Sequence, residues 1–242
     1  MASKQGKGRI GWCDWTWSPI KGRCGFFCEY CYMHSINKRF SLDPMLRVDE
    51  KELRWCPRQP GKIFVCSQLD IMHDDIPDVW VDRVLNVAES HPQNTYQFLT
   101  KKPCMYSAHD MPANSWVGTS VDGLAFTRTN FMDIGTLETK AAIKFVSFEP
   151  LIAFPEEVVF NPIAWEAVDW IIIGADSRLG ADDPPREWAE RLIESARRYD
   201  VAVWLKDNYL WPVNDYRPQE FPDEIKVIRA PREPEPVPCE RM

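Results

Sequence analysis

Three cysteines crowd the stretch Arg23-Cys24-Gly25-Phe26-Phe27-Cys28-Glu29-Tyr30-Cys31-Tyr32. Gaps of three and two residues let Cys24, Cys28 and Cys31 converge on one metal centre. A structural zinc site closes with four ligands, and no further Cys or His pair follows at a spacing that would complete one. A 4Fe–4S cube has four irons, so three thiolates leave one iron open to an outside ligand. That arrangement is reactive rather than structural. Two readings from other classes compete with it. One is a noncatalytic metal-binding or redox-sensing module closed by Cys13 or His34; the other is a nucleic-acid-binding module that relies on the tryptophans and the basic amino-terminal third. Cys56, Cys66, Cys104 and Cys239 are too widely spaced to suggest a second cluster and read as free thiols.

Such a centre needs a scaffold. Apolar, β-rich runs recur at Lys62–Cys66, Tyr96–Leu99, Trp116–Thr119, Lys144–Phe148, Trp170–Ile173 and Val201–Leu205, with starts 20 to 34 residues apart. A helix fits between most pairs, and nearly unbroken apolar runs suit parallel strands buried on both faces. Ile10–Trp17 is a candidate first strand that leads through the turn Ser18–Gly22 into the cysteine loop. A short helix is expected at Tyr32–Asn37, then an irregular excursion over residues 38–61. Longer helices are expected at Pro77–Ser90, capped by Asp75, and at Pro185–Tyr199, capped by Asp182 and Asp183. The crossover between the runs at 96 and 116 is too short for a full helix. With right-handed crossovers, six or seven such strands close most simply as an open or partial barrel of α/β class.

The site of such a fold lies at the carboxyl ends of the strands. Polar residues follow every run: Ser67, Gln68, Asp70 and His73; Thr100, Lys101 and Lys102; Ser120 and Asp122; Ser147 and Glu149; Gly174, Asp176 and Ser177; Lys206 and Asp207. A central polar pocket requires that pattern. For Asp122, just ahead of an expected helix, a capping role competes with a binding one.

A chain of 242 residues with 45% apolar content can bury one large core, so a single domain is expected over residues 1–228. Prolines at 231, 234, 236 and 238 mark residues 229–242 as an extended tail. No apolar run approaches the ~18 residues of a membrane span, and no signal-peptide start is present, so a cytoplasmic protein without membrane contact is expected. Eight cysteines in a chain this long fit a reducing compartment better than a disulfide framework. The net charge of −7 argues against bulk electrostatic binding of nucleic acid, yet residues 1–62 hold twelve Lys/Arg against six Asp/Glu. The positive end is the end with the cysteines.

The C-x3-C-x-aromatic-C pattern of Cys24, Cys28, Tyr30 and Cys31 resembles the signature of the radical S-adenosylmethionine (SAM) superfamily. That resemblance implies a partial (β/α)6 TIM-like barrel of parallel strands, with the cysteine loop after the first strand. It also implies SAM chelating the open iron, an electron from a flavodoxin or ferredoxin, and a 5′-deoxyadenosyl radical that abstracts hydrogen from substrate. Further pieces are similar to a radical-SAM-like family common in phage and bacterial genomes, mostly without assigned substrate. They are Trp12-x-x-x-Thr16-Trp-x-Pro19, Ser67-x-x-Asp70-x-x-His73-x-Asp75-x-Pro77, Leu99-Thr-Lys-x-Pro103, Gly118-x-Ser-Val121, Phe145-Val-Ser-x-Glu-Pro-Leu151, Asp169-Trp and Trp204-x-Lys206. Gly174-Ala-Asp-Ser177 departs from that family's Gly-Gly-Glu-Ser. If SAM binds, its ammonium wants acidic or carbonyl groups, for which Ser67 and Asp70 are the candidates; its carboxylate wants a cation, for which Lys101 is the candidate. Tyr30, Ser120 and Asp122 are expected to meet the cofactor, the last two at its ribose. Glu149 is a second candidate for the ribose or one for the substrate, and Asp176 and Lys206 are expected to meet the substrate, a small molecule or a nucleic-acid component such as a modified base.

Overall fold

The computed structural model describes residues 2–5, 10–57 and 59–222. Among the described residues, ten strands form: β1 (Ser3–Lys4), β2 (Trp15–Trp17), β3 (Ile20–Lys21), β4 (Arg47–Val48), β5 (Lys62–Val65), β6 (Thr95–Thr100), β7 (Ser115–Ser120), β8 (Ile143–Phe148), β9 (Trp170–Ile173) and β10 (Ala202–Leu205). Eight make one sheet in the order β1-β2-β5-β6-β7-β8-β9-β10, parallel throughout except for β1; β3 and β4 pair separately. The helices are α1 (Met33–Phe40), α2 (Glu50–Leu53), α3 (Asp78–Glu89), α4 (Asn130–Thr136), α5 (Glu156–Val159), α6 (Pro162–Ala167) and α7 (Arg186–Arg198). The expected α/β class and mostly parallel sheet are therefore observed. The short crossover from β6 to β7 carries only a 3-10 turn, Pro103–Ala108, as its length required.

Alternation along each strand sorts side chains between two layers. Ile63, Tyr96, Phe98, Val117, Val146, Ile171, Ile173, Val203 and Leu205 face the helices. There they join Val81, Val84 and Leu85 of α3, Phe131 and Ile134 of α4, Trp165 of α6, and Leu192 and Ala196 of α7. The alternate positions, Phe64, Trp116, Ile143, Phe145, Trp170, Ile172 and Trp204, form a second core with Trp12. Trp12 packs on Phe64 of β5 at 4.7 Å and on Trp170 of β9 at 6.1 Å between ring centroids. A flat sheet would hold those two strands roughly 19 Å apart. The sheet is therefore strongly curled, with aromatic rings filling the amino-terminal part of its concave face.

Glycine at 118 makes that filling possible. A Cβ on Gly118 would lie within 2.5 Å of three ring carbons of Phe145. Gly118→Ala should destabilise the fold by about 1–3 kcal/mol, since neither ring nor backbone has room to move. Adding Phe145→Leu should recover part of the loss in thermal unfolding.

Local departures have clear causes. Only Trp15–Trp17 of the expected strand Ile10–Trp17 pairs in the sheet, because Trp12 turns into the concave core. Neither long helix uses an aspartate cap: α3 and α7 begin at the extended prolines Pro77 and Pro185, without a side-chain cap. Asp75 is engaged with His73 instead. The excursion over 38–61 contains β4 and the single turn α2, which Asp49 caps through the Lys51 and Glu52 amides. The proline-rich tail lies outside the described residues. Among the described residues, no helix is long and apolar enough to cross a membrane.

Candidate active site

The cysteine loop joins β3 to α1. Phe27 takes a left-handed backbone there, with φ of 50°. The three thiols are free and half-buried. Burial pushes the Cys24 and Cys28 thiols above their ordinary range, and the neighbouring sulfurs act on each other: Cys28 on Cys24, and Cys31 on Cys28. Opposing that burial, the nearby backbone of Asp70 and Phe26 favours thiolate at Cys24. The Lys101 ammonium favours thiolate at Cys28. A nearby cation favours the thiolate form that a metal ligand needs.

The segment after β5 is the seat of this loop. Tyr32 donates its hydroxyl to the Ser67 carbonyl at 2.5 Å. Burial, with Cys31 and Glu149 nearby, pushes the Tyr32 phenol up to about 12. His73 packs edge-on against Phe26 at 4.5 Å, and Phe26 also meets Phe126 from the loop after β7. A Cβ on Gly25 would fall on the His73 ring and within 2.5 Å of Asp75 Oδ2. Only glycine lets the loop approach so closely.

Asp70 and Asp122 bind inward. Asp70 Oδ1 accepts from the Met72 amide at 3.0 Å, while Oδ2 accepts from Thr100 Oγ1 at 2.9 Å and the Lys101 amide at 2.8 Å. Burial pushes this carboxyl up, and the hydrogen bonds pull it down. Its side chain thus staples the end of β6 to the loop after β5. Asp122 is buried; its Oδ1 accepts from the Leu124 amide and Thr127 Oγ1. Its Oδ2 receives the Tyr30 hydroxyl and lies 3.9 Å from Lys101 Nζ. The ammonium also sits 5.2 Å from the Tyr30 ring centroid. Asp122 thus caps neither following helix: one oxygen closes the turn after β7, and the other faces Tyr30 and Lys101. Burial and Asp122 raise the Tyr30 phenol well above its ordinary range, so it remains a donor.

At the carboxyl end of the concave face, the aromatic filling gives way to polar groups. Ser120 and Ser147 stand opposite each other in the β7–β8 register, both buried. Lys206, after β10, reaches across β9 to an ion pair with Glu149, after β8. Gly174 lies between them: a Cβ there would meet Lys206 Cδ at 3.0 Å and Glu149 Cδ at 3.1 Å. The pair offers one donor and one acceptor at the end of the sheet.

Asp176 occupies a different position from Glu149 and Lys206. Its carboxylate is bound by the Arg178 guanidinium at 2.6 and 2.9 Å, which holds it below the usual carboxylate range. Arg178 in turn donates to the Glu29 carbonyl at 3.2 Å. Asp176 thus orients an arginine that ties the loop after β9 to the cysteine loop. Arg178, Tyr32, Thr127 and Asn130 carry weight that their sequence positions did not signal. Asn130 joins the Lys101 and Ser120 carbonyls at 3.0 Å each, a role set only once β6 and β7 are adjacent.

Of the two proposed closing ligands, His34 bonds through Nε2 to the Cys28 carbonyl at 2.9 Å, and Cys13 is buried with the aromatic core. Among the described residues, no three His, Cys, Asp or Glu side chains meet as they would around a single metal ion. A cube spreads its thiolates over separate irons and makes a different demand on their spacing.

The family model described as "Protein of unknown function (DUF5131)" matches residues 7–220, from before β2 to beyond β10. The chain belongs to the DUF5131 family. No curated protein and no solved structure matches it. In this DUF5131 chain the matched region holds the cysteine loop, its seat after β5, and the Lys206–Glu149 pair.

Proposed function

We propose that the chain is a radical SAM enzyme built on a partial (β/α)6-type barrel, with Cys24, Cys28 and Cys31 holding a 4Fe–4S cluster. The observation that carries this reading is that Cys24, Cys28 and Cys31 share one short loop, held on the strand ends by the Tyr32–Ser67 hydrogen bond and the Phe26–His73 contact, with the Tyr30–Asp122–Lys101 group beside it. When bound, cluster and SAM would supply one-electron cleavage of the sulfonium C–S bond and so a means of taking hydrogen from substrate, the electron coming from a flavodoxin or ferredoxin.

The chain's own residues do the positioning. Tyr30, Lys101 and Asp122 present a donor, a cation and an acceptor beside Cys28, and are the candidates to meet SAM together with Ser67 and Ser120. Asp70 contributes through its staple between the end of β6 and the loop after β5, not through a free carboxylate. Arg178, oriented by Asp176, steadies the loop at Glu29. The aromatic core excludes water from below. Lys206 and Glu149 would bind a substrate edge that carries both acceptor and donor, as an amide or a nucleobase does.

In anaerobic protein loaded with iron and sulfide and then reduced, added SAM should change the EPR spectrum of the cluster. A spectrum indifferent to SAM would count against an open iron.

A further inference from the structure

We propose that the exposed face around α1 docks an acidic one-electron donor protein beside the cysteine loop. The donor's task rests on the radical SAM reading; the docking rests on the surface itself.

The helix α1 carries Lys38 and Arg39 in its last turn and no acidic residue. Arg23 lies alongside, its amide bonded to the Pro44 carbonyl and its guanidinium 4.5 Å from the Phe27 ring. Among the described residues, no carboxylate pairs with Arg23, Lys38 or Arg39. Phe27 and Phe40, on which Arg23 and Arg39 lie, are 54 and 61% exposed, and Leu42 and Met45 farther along the chain are 43 and 70% exposed. A groove of about 250 Å³ lined by Arg23, His34, Asn37, Leu42 and Asp43 crosses the same surface. Three uncompensated cations stand out on a chain whose net charge is −7.

Arginine, phenylalanine and methionine are enriched in protein interfaces, and local positive charge selects an acidic partner. Nucleic acid fits less well. Leu42 and Met45 offer nothing to a phosphate backbone, Asp43 lines the groove, and the overall charge opposes a polyanion. The face adjoins the thiols directly: His34 bonds the Cys28 carbonyl at 2.9 Å, and its amide bonds the Cys31 carbonyl at 3.1 Å. One electron would pass from the reduced donor, which is oxidised by one electron, to the cluster, which is reduced by one. No bond forms or breaks.

The test measures binding of reduced flavodoxin and of [2Fe–2S] ferredoxin to the full chain by calorimetry, at low and high salt. It compares wild type with Lys38→Glu/Arg39→Glu and with Phe40→Ala. At least one donor should bind wild type, and the double charge reversal should weaken that binding about tenfold or more. Salt should weaken wild type more than the variant. Donor-driven SAM cleavage should fall in parallel, with dithionite-driven cleavage unchanged. Equal donor affinity in wild type and double variant would overturn the proposal, as would no binding of either donor. So would a face that binds single-stranded oligonucleotide and ignores both donors. Failure of dithionite-driven cleavage in wild type would instead strike the radical SAM reading, and the calorimetry would still decide the docking.

Discussion

Cys28→Ala should empty the site while leaving the fold intact. Cys28 is the middle thiol of the loop, between Cys24 and Cys31, and its carbonyl accepts from the Cys31 amide at 3.0 Å. Two remaining thiolates do not hold a cube, so bound iron should fall from about four per chain to less than one after loading. Cys28 belongs to neither apolar core. Thermal unfolding should therefore shift by less than about 2 °C. Iron and sulfide assays beside a melting curve check both halves. Retained iron would mean that these thiols are not the ligands.

The second large effect needs no change to a ligand. Gly25→Ala adds one carbon where the His73 ring and Asp75 Oδ2 already sit. His73 is pinned by Phe26, so the ring cannot simply rotate away. The loop must back off its seat, carrying Tyr32 away from the Ser67 carbonyl. Cluster loading should drop at least about tenfold, with the apolar cores untouched and a loss of stability no greater than about 1–3 kcal/mol. His73→Ala in the same chain should restore part of the loading, since the exposed Asp75 carboxylate can swing aside. Normal loading of Gly25→Ala would show that the loop's closeness to its seat is unimportant.

The sequence was most informative where one local rule sufficed. Unbroken runs such as Trp170-Ile-Ile-Ile173 became strands with nearly the expected bounds, because residues buried on both faces have few other fates. Strand-end polarity likewise marked Lys206 and Glu149, which the fold brings into an ion pair. Partnerships were not legible. Nothing near Asp176 says that Arg178 occupies its carboxylate, or that Asp70 spends both oxygens on Thr100, Lys101 and Met72. Those contacts depend on which loops the curled sheet brings together. The expected caps failed because both long helices start directly after an extended proline, which leaves the preceding aspartates outside the capping position. Trp12 read as part of a strand because its neighbours alternate, whereas the concave core recruited it.

The central claim is that Cys24, Cys28 and Cys31 hold a cluster with one iron open to SAM. The most direct measurement is anaerobic loading with iron and sulfide, reduction by dithionite with SAM present, and assay for 5′-deoxyadenosine. The account predicts product that requires both reductant and SAM, and that disappears in Cys28→Ala. Tightly bound zinc, with no cluster and no cleavage, would contradict it.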